Sequence, residues 1–498
     1  MGLKEDAMWA MARKMGMPES AIAAVKAKRA KGEPMPDMAS MMKMMTKSGG
    51  KNEMMKMAQK MGMPPLAKGM DGNELLGKLK RLSQVATIKD VPQLTKALFP
   101  GTHCPLMGAA MAAGGIKGCL LVIVGTDECS YYTKSLTIND NFGGVGGRCV
   151  SVVLDSHDVT FGSSEMMHRA FKEMMEEYKP ECVMLVTTCV IEVIGDDYDS
   201  IAEELSAQYH IPVMAVHTEH FKCEDHFPGL ERAISACLDL MEEVPGNGSV
   251  NVMGQRMGNF SSTELYAMLQ KSGVKIGMQL PSGCTVEEIK QAAAAKVNIV
   301  VHDIALPLAK AMEKRFGTPY VYFNKFADPE RIMESYQKLF AYLELPLPQE
   351  VQELYGKSKE LEAAAKGELQ GVPYIYGNTP YDCLELNRYL CLLGMEPQLV
   401  QSNHFAEDNP DVADILRFTD PYVCKAANIA PLQYVYDVLH PYLYLGHEFD
   451  DRLRAKGIAV VHSDGAGAML GFEVQRFLLQ VLQETLAKGK VYRKEAGL

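Results

Sequence analysis

The fold is decided by the run Cys119-Leu-Leu-Val-Ile-Val-Gly125, because it is strand-sized, apolar throughout and closed by a glycine. Similar runs recur along the chain, and amphipathic helical stretches such as Ser163–Glu177 and Pro329–Leu343 separate them. This alternation of strands and helices builds parallel sheets that helices cover on both faces. The other runs that predict strands are Cys182–Thr187, Val213–Val216, Val250–Met253, Ile299–His302, Tyr320–Phe323, Tyr374–Tyr376 and Ile458–His462.

Breaks in this alternation, near residues 245–249 and 367–373, divide the chain. At roughly 150 residues per domain, the 498 residues correspond to about three domains. We therefore predict an α/β protein with three Rossmann-like parallel-sheet domains behind a Met-rich helical N-terminal extension. The predicted bounds are 1–85 for the extension and 86–247, 248–368 and 369–498 for the domains, the last including a C-terminal helix.

The N-terminal segment has a different composition, since half of the 34 methionines lie before residue 71. It contains a repeat, because Met11-Ala-Arg-Lys-Met-Gly-Met-Pro18 recurs as Met57-Ala-Gln-Lys-Met-Gly-Met-Pro64. In each copy glycine can end a helix and proline prevents its continuation. The pattern favours a peripheral helical extension that packs methionine on its neighbours. Docking of a partner is the alternative, because methionine adapts to binding surfaces.

Composition and charge exclude several classes of protein. The formal net charge of −11 argues against a general nucleic-acid or anionic-membrane binder, which would have a basic face. The apolar runs are too short to span a bilayer, and the N-terminus lacks the apolar core of a secretory signal. We expect a cytoplasmic protein. Twelve cysteines and 34 methionines also indicate a reducing or anaerobic habitat.

Three cysteines follow strands or turns. Cys104 lies in the string Gly-Thr-His-Cys-Pro-Leu-Met-Gly over residues 101–108, and Cys129 and Cys189 come directly after predicted strands. The chemistry of parallel sheets lies beyond the carboxyl ends of their strands, so these thiolates can converge on a soft metal or an iron–sulfur cluster. Their wide separation along the chain matches no zinc finger or ferredoxin run. Burial as small hydrophobic side chains is the alternative.

These strings resemble motifs of the nitrogenase component 1 family. The similar strings are Cys104-Pro-Leu-x-Gly-Ala109, Gly125-x-x-x-Cys129 and Thr187-Thr-Cys-x-x-Glu-Val-Ile-Gly-Asp-Asp197, the last being most like the β-type subunit. The likeness extends over about residues 95–485, and the Met-rich first 85 residues lie outside it. Three Rossmann-like domains are also the family's architecture. Weaker similarity continues through His217–Phe221, Asn298–Asp303, Phe316–Pro319 and Leu445–His447.

The resemblance implies that Cys104, Cys129 and Cys189 ligate one side of an iron–sulfur cluster, either of the eight-iron P-cluster type or a [4Fe-4S] cubane. A paralogous subunit would supply the other side, in an α2β2-type assembly. A dimeric ATP-hydrolysing iron–sulfur reductase would deliver the electrons. The chain carries no nucleotide motif of its own, because the string Gly143-Gly-Val-Gly-Gly147 matches neither a P-loop nor the dinucleotide fingerprint.

The chain departs from the family where the α-type subunit holds its catalytic cofactor with a cysteine and a histidine. The string Val300-Val-His-Asp303 has no cysteine, and Gly465-Ala-Gly-Ala-Met-Leu-Gly-Phe472 has no histidine. His302, Cys284 and His462 are candidate substitutes, although structural roles are more typical of such residues. A second metallocluster in this chain is therefore not established.

Two further groups of polar residues need an interpretation. His217, His220, Cys223 and His226 offer four zinc ligands, but equal three-residue steps do not by themselves bring four side chains round one ion. A role near the cluster or at an interface is favoured for this string. The neighbours Asp196 and Asp197 precede a predicted helix, and negative charge there is favoured by the helix dipole.

The sequence supports two main hypotheses about function. The first is a subunit of a nitrogenase-like reductase that relays electrons to a small-molecule reduction site. The altered cofactor positions and the long extension favour a divergent reductase, such as a methylthio-alkane type, over a true nitrogenase component 1 subunit. The second is a scaffold for assembly of a nitrogenase cofactor. A protein that has kept the fold and lost the cluster is disfavoured, because all three thiols are present.

Overall fold

The structure is a computed structural model that describes residues 71–94, 103–137, 148–223, 225–403, 405, 409–425 and 429–498. The methionine repeat and the glycine string 143–147 lie outside the described residues. The chain divides into two compact units, residues 1–75 and 76–498, and of the first only residues 71–75 are described. None of the described helices combines the length and the apolar character that crossing a bilayer requires.

Strands and helices alternate along the described part of the second unit. The strands are β1 Lys80–Arg81, β2 Ile116–Lys117, β3 Cys119–Gly125, β4 Cys149–Val153, β5 Cys182–Thr187, β6 Val213–His217, β7 Val250–Met253, β8 Ile276–Leu280, β9 Cys284–Thr285, β10 Val297–Val300, β11 Tyr320–Tyr322, β12 Pro373–Tyr376, β13 Glu396–Gln401, β14 Tyr422–Cys424, β15 Leu443–Leu445 and β16 Ala459–Val461. The α-helices are Gly72–Leu76, Pro105–Gly114, Asp127–Thr137, Ser156–Phe161, Ser164–Tyr178, Cys189–Ile194, Tyr198–Tyr209, Phe227–Ala236, Glu264–Lys271, Val286–Lys290, Leu306–Phe316, Pro329–Leu343, Gln349–Leu369, Cys383–Leu392, Pro410–Leu416, Ile429–Leu439, Asp450–Arg454 and Phe472–Ala496.

The first sheet has the order β4-β3-β5-β6, and its strands are all parallel. Every residue of β3 is buried. Successive residues of β3 enter opposite cores, since Leu121 and Ile123 join one apolar cluster and Leu120 and Val122 join another. A strand that is buried on both faces explains the continuous apolar run from which the fold was predicted.

The second sheet is also parallel, with the order β11-β10-β7-β8. The third has the order β1-β14-β13-β12-β15-β16, and all of its pairs are parallel except the edge pair of β1 with β14. Three parallel sheets interleaved with helices confirm the predicted Rossmann-like α/β class. The exact domain bounds stay a prediction. Lys80–Arg81, within the predicted extension, forms a strand of the third sheet.

Two helices that pack on the first sheet cross at very close range. A Cβ atom added to Gly108 would lie 2.0 Å from the backbone oxygen of His226, and one added to Gly229 would lie 1.8 Å from that of Pro105. Both contacts are with backbone, which cannot swing aside as a flexible side chain can. The two glycines therefore allow the helices Pro105–Gly114 and Phe227–Ala236 to touch, and this contact fixes the start of the first helix.

We expect Gly229→Ala to destabilise the protein by about 1–3 kcal/mol, as overpacking of a tight contact does. Without such a clash, replacing glycine by alanine would stabilise the helix by about 1 kcal/mol, because alanine has the higher helix propensity. The matched control is Gly356→Ala in the helix Gln349–Leu369, where an added Cβ meets nothing within 4 Å. Thermal unfolding of the full chain measures both variants. If Gly229→Ala were as stable as Gly356→Ala, the helix contact would not be tight.

Candidate functional site

Three cysteines lie at the carboxyl edge of the first sheet. Strands β3 and β5 are parallel neighbours, and Val124 lies opposite Thr187. Both strands therefore end at the same edge, where Cys129 lies in the helix Asp127–Thr137 that follows β3. Cys189 is the first residue of the helix that follows β5. Cys104 stands immediately before the helix Pro105–Gly114, which packs on the strands of this sheet.

The electrostatics of Cys104 indicate that the three thiols lie close together. Burial raises the pKa of the Cys104 thiol, and the charges of Cys129 and Cys189 raise it further. The backbone N–H groups of Met107 and Leu106, at the helix N-terminus, act in the opposite direction on this pKa. The raised pKa favours the neutral thiol of Cys104 when no metal is bound, whereas a bound metal would favour the thiolate.

The spread of the three sulfur atoms limits what they could bind together. The sulfurs of Cys104, Cys129 and Cys189 do not all lie within 4.8 Å of one another. A single tetrahedral ion with metal–sulfur bonds of about 2.3 Å needs its ligands closer than that. The wider spread suits a cluster in which each thiolate binds a different iron.

The edge of the sheet is closely packed beside Cys189. Gly125, at the end of β3, has a φ of +155°, and an added Cβ would lie 1.8 Å from the Thr188 hydroxyl. That hydroxyl oxygen is buried and has no hydrogen-bond partner among the described residues. The His220 backbone N–H donates to the Cys189 sulfur across 3.3 Å. Glycine is thus required at position 125 for this approach, and one backbone donor is directed at the Cys189 sulfur.

A polar network supports the segment that carries Cys189. The Thr187 hydroxyl donates to Glu192, whose carboxylate lies 2.8 Å from Nδ1 of His217. The other ring nitrogen of His217 lies 3.3 Å from Asp199. Burial by itself lowers the pKa of His217, but the hydrogen bonds to Glu192 and Asp199 more than offset it, so that this pKa lies above its ordinary value of 6.5. The imidazole therefore ties the strand ends to the helices that follow them.

The four candidate zinc ligands do not converge. The His217 ring contacts carboxylates, the Cys223 sulfur lies 4.0 Å from the Arg232 guanidinium, and the His226 ring stacks on Phe227. Among the described residues, the group of at least three side chains that could hold one ion is Asp155, His157 and Asp158. There the Asp155 carboxylate caps a helix by accepting the backbone N–H groups of His157 and Asp158.

The remaining candidates have separate structural roles. Asp197 caps the helix Tyr198–Tyr209, as predicted, while Asp196 accepts hydrogen bonds from both the backbone and the hydroxyl of Ser163. The proposed substitutes for the missing cofactor ligands lie in different surroundings. Cys284 is buried in β9, and the exposed His462 ring lies 3.1 Å from Asp450. These two side chains and His302 do not form a single-ion site.

The structure adds a feature that the sequence analysis missed, three exposed apolar side chains that lie close in the chain to Cys129, to Cys189 or to a residue that contacts Cys189. Tyr131 is 77% exposed, Val193 is 74% exposed and Phe221 is 57% exposed. Tyr131 follows Cys129 by two residues, Val193 follows Cys189 by four, and Phe221 comes next to the residue whose N–H binds Cys189. Exposed apolar groups mark interaction surfaces where they form a contiguous patch. For Tyr131 and Val193, the position shortly after a cysteine was the available signal.

The fold defines a protein of three parallel α/β layers. The chain belongs to the family of nitrogenase component 1 type oxidoreductases, whose model matches residues 104–482. Proteins of this family bind iron–sulfur clusters.

Curated relatives are divided between two roles. The chain is 25% identical over 257 residues to the nitrogenase iron-molybdenum cofactor biosynthesis protein NifE of Rippkaea orientalis, a match to 49% of this chain and 55% of that one. It is 26% identical over 222 residues to the nitrogenase molybdenum-iron protein alpha chain of Methanosarcina barkeri, a match to 42% of each chain. The chain thus spans about half the length of the curated relatives it matches.

A solved structure has the same fold over most of its length. "Nitrogenase Cp1 at pH 6.5" aligns with a TM-score of 0.68 and 17% identity, over 81% of this chain and 96% of that one. At this identity the likeness concerns the fold.

The His217 network predicts a pH dependence. Because the pKa of His217 is raised in the folded state, its contribution to stability is complete below the unfolded value of 6.5 and is lost as the pH rises through the folded value. We expect His217→Gln to lower the free energy of unfolding by up to about 1 kcal/mol more near pH 6 than near pH 9, which is the scale of a half-exposed ion pair. Denaturant unfolding of the variant and the wild type at both pH values measures this difference.

The control is His168→Gln, which removes a surface histidine that lies 3.2 Å from the exposed Glu204. An equal loss for His217→Gln at both pH values would show that the imidazole charge contributes nothing.

Proposed function

We propose that this chain is the cluster-binding subunit of a nitrogenase-like reductase complex, with Cys104, Cys129 and Cys189 as the ligands of an iron–sulfur cluster. The observation that carries the proposal is the convergence of these three thiols at the carboxyl edge of the first sheet. When bound, such a cluster stores and passes on single electrons. The protein's part is to hold the thiolates apart, bury them partly and direct N–H and O–H groups at the sulfurs.

The residues present fit a cluster of the P-cluster type or a [4Fe-4S] cubane. The donor set is all sulfur, which soft iron–sulfur centres prefer. The Thr188 hydroxyl, next to Cys189 in the chain, is buried without a partner among the described residues, and we propose that it donates to a sulfur of the cluster. The His220 N–H already donates to Cys189. Such hydrogen bonds to sulfur raise the reduction potential of a cluster.

Three thiolates do not complete the coordination of the cluster's irons, so another chain would supply the remaining ligands. We propose that this other chain is a paralogous subunit in an α2β2-type assembly and that it contacts the exposed Tyr131, Val193 and Phe221. The described chain has no nucleotide motif, so ATP-dependent electron delivery would belong to a separate dimeric iron–sulfur reductase. The substrate would be a small molecule other than dinitrogen, because the cofactor-binding cysteine and histidine are missing near residues 302 and 467.

Iron analysis tests the ligand set. We expect Cys129→Ala and Cys189→Ala, each in the anaerobically purified complex, to lose most of the iron and acid-labile sulfide and the visible cluster absorption. The matched control is Cys223→Ala, a partly exposed thiol of the same layer that contacts Arg232. Iron content that is unchanged in the two ligand variants, or absent from the folded wild-type complex, would contradict the assignment.

A scaffold for cofactor assembly is the second candidate function. It is supported by the curated relatives that carry the name of the cofactor biosynthesis protein NifE. A scaffold would bind a cluster with the same thiols, but it would pass a metallocluster to another protein instead of reducing a substrate.

Turnover separates the two functions. A reductase, supplied with the iron protein, ATP and a reductant, is expected to consume a small-molecule substrate over many cycles. A scaffold is expected to activate an apo-nitrogenase component once per cluster delivered and to lose iron as it does so. Substrate reduction with no loss of iron would exclude the scaffold, and stoichiometric iron transfer without turnover would exclude the reductase.

A further inference from the structure

A guanidinium on the helix Phe227–Ala236 reaches the segment that follows β6. The helix packs on β6, and it carries Arg232. Nη1 of Arg232 donates to the backbone oxygen of His217 across 2.6 Å and to the carboxylate of Glu219 across 2.7 Å. Its Nη2 lies 4.0 Å from the Cys223 sulfur. One guanidinium nitrogen therefore bridges the residues on either side of position 218.

The pair of Arg232 with Glu219 is a fixed point of this segment. The Glu219 side chain is buried, and Lys222 lies 3.6 Å from its carboxylate. Burial by itself raises the pKa of Glu219, but a backbone hydrogen bond and the Arg232 guanidinium more than offset it, so that this pKa lies below its ordinary value of 4.5. A buried carboxylate that stays charged needs its cation close by.

The same segment is held from its other side by β5. Strands β5 and β6 are parallel neighbours, and Thr187 lies opposite His217. The Thr218 hydroxyl donates to the backbone oxygen of Thr187 across 2.5 Å. Residues 217–219 are therefore anchored between a strand end and a helix.

These anchors set the position of one backbone donor. Glu219 is the N-cap of a short 3-10 helix, His220–Lys222, and His220 is its first residue. The first N–H groups of a helix have no acceptor inside that helix. The His220 N–H donates instead to the Cys189 sulfur, across 3.3 Å. Because one peptide bond joins Glu219 to His220, the hold on Glu219 directs this N–H.

The helix that carries Arg232 also lies against the segment that carries Cys104. Its Gly229 touches the backbone of Pro105, and Cys104 is the N-cap of the helix that Pro105 begins. One helix therefore contacts the surroundings of two of the three motif cysteines.

We propose that Arg232 is a positioning residue for the cluster: by holding His217 and Glu219 it keeps the His220 N–H directed at the Cys189 sulfur and so raises the reduction potential of the cluster. This inference rests on the proposed function, because it takes Cys189 as a ligand. An N–H that donates to sulfur stabilises the additional negative charge of the reduced cluster.

Amide hydrogen exchange of the full chain tests the hold on the segment, and it needs no bound cluster. We expect Arg232→Met to speed exchange in the peptide that contains residues 218–223 about tenfold or more, because the segment loses one of its two anchors. The matched control is Arg493→Met, which removes a guanidinium that donates to the backbone oxygen of His440. Unchanged exchange in Arg232→Met would overturn the proposal.

A second variant keeps the test independent of folding. Arg232→Met leaves Glu219 buried, with Lys222 as its remaining ion-pair partner among the described residues. The double variant Arg232→Met with Glu219→Gln removes the buried charge as well, so it should fold where the single variant is unstable. We expect the same faster exchange in the double variant.

A redox titration of the anaerobically purified complex tests the effect on the cluster. We expect Arg232→Met to keep the iron content of the wild type and to lower the midpoint potential. The ratio of oxidised to reduced cluster at a fixed potential should rise about fivefold, which is the scale of one hydrogen bond. Loss of the Arg232 charge would by itself also lower the potential, so the two causes have to be separated.

Variants at position 220 separate these causes. His220→Pro removes the N–H, and proline is compatible with the first position of a helix. His220→Ala is the reference, because it loses the same ring and keeps the N–H. We expect a lower midpoint potential in His220→Pro than in His220→Ala. Adding Arg232→Met should lower the potential further in the His220→Ala background than in the His220→Pro background. An equal decrease in both backgrounds would assign the effect to charge alone and overturn the proposal.

The iron content distinguishes a failure of this inference from a failure of the proposed function. Full iron with an unshifted potential in Arg232→Met would overturn the role of Arg232 and leave the cluster assignment intact. A folded wild-type complex without iron would overturn both.

Discussion

The parallel pairing of β3 with β5 is the constraint on which the candidate site depends. It places Val124 opposite Thr187, so that both strands end at one edge and their following helices start side by side. The thiols of Cys129 and Cys189 are brought together by this register, although 60 positions of chain separate them. A shift of the register by one residue would turn every side chain of β3 to the other face of the sheet and separate the strand ends.

In the first two sheets, the carboxyl edge carries side chains of different chemistry. Thiols follow the strands of the first sheet, and Arg256, His302 and Lys325 follow strands of the second. In each case a glycine at the strand end, Gly125 or Gly254, allows a neighbouring segment to approach within the space of a side chain. Soft sulfur donors suit iron, whereas the second edge offers guanidinium, imidazole and ammonium groups. The two edges therefore carry side chains of unlike chemistry on equivalent positions of two similar sheets.

Prediction from the sequence succeeded where a strand is buried on both faces. The bounds of β3 and β5 agree with the apolar runs from which they were predicted, and so do those of the helix Pro329–Leu343. Strands β4, β8, β13, β14 and β15 were missed, and so were the two-residue strands β1, β2 and β9. Strand β8 is an edge strand that is only partly buried, and β13 begins with Glu396 and Pro397, which are untypical of a strand. Strands β6 and β11 are only partly buried and were nevertheless predicted, while the fully buried β15 was missed, so local hydrophobicity is an incomplete guide to strands.

The sequence by itself determined the α/β class, the three motif cysteines and the resemblance to the family, because each is expressed in contiguous residues. The tertiary structure decided which side chains become neighbours. It separated His217 and Cys223 from any shared ion, and it left Tyr131, Val193 and Phe221 exposed. It also brought the His220 N–H to the Cys189 sulfur. These two residues follow different strands, so they become neighbours only because β5 pairs with β6.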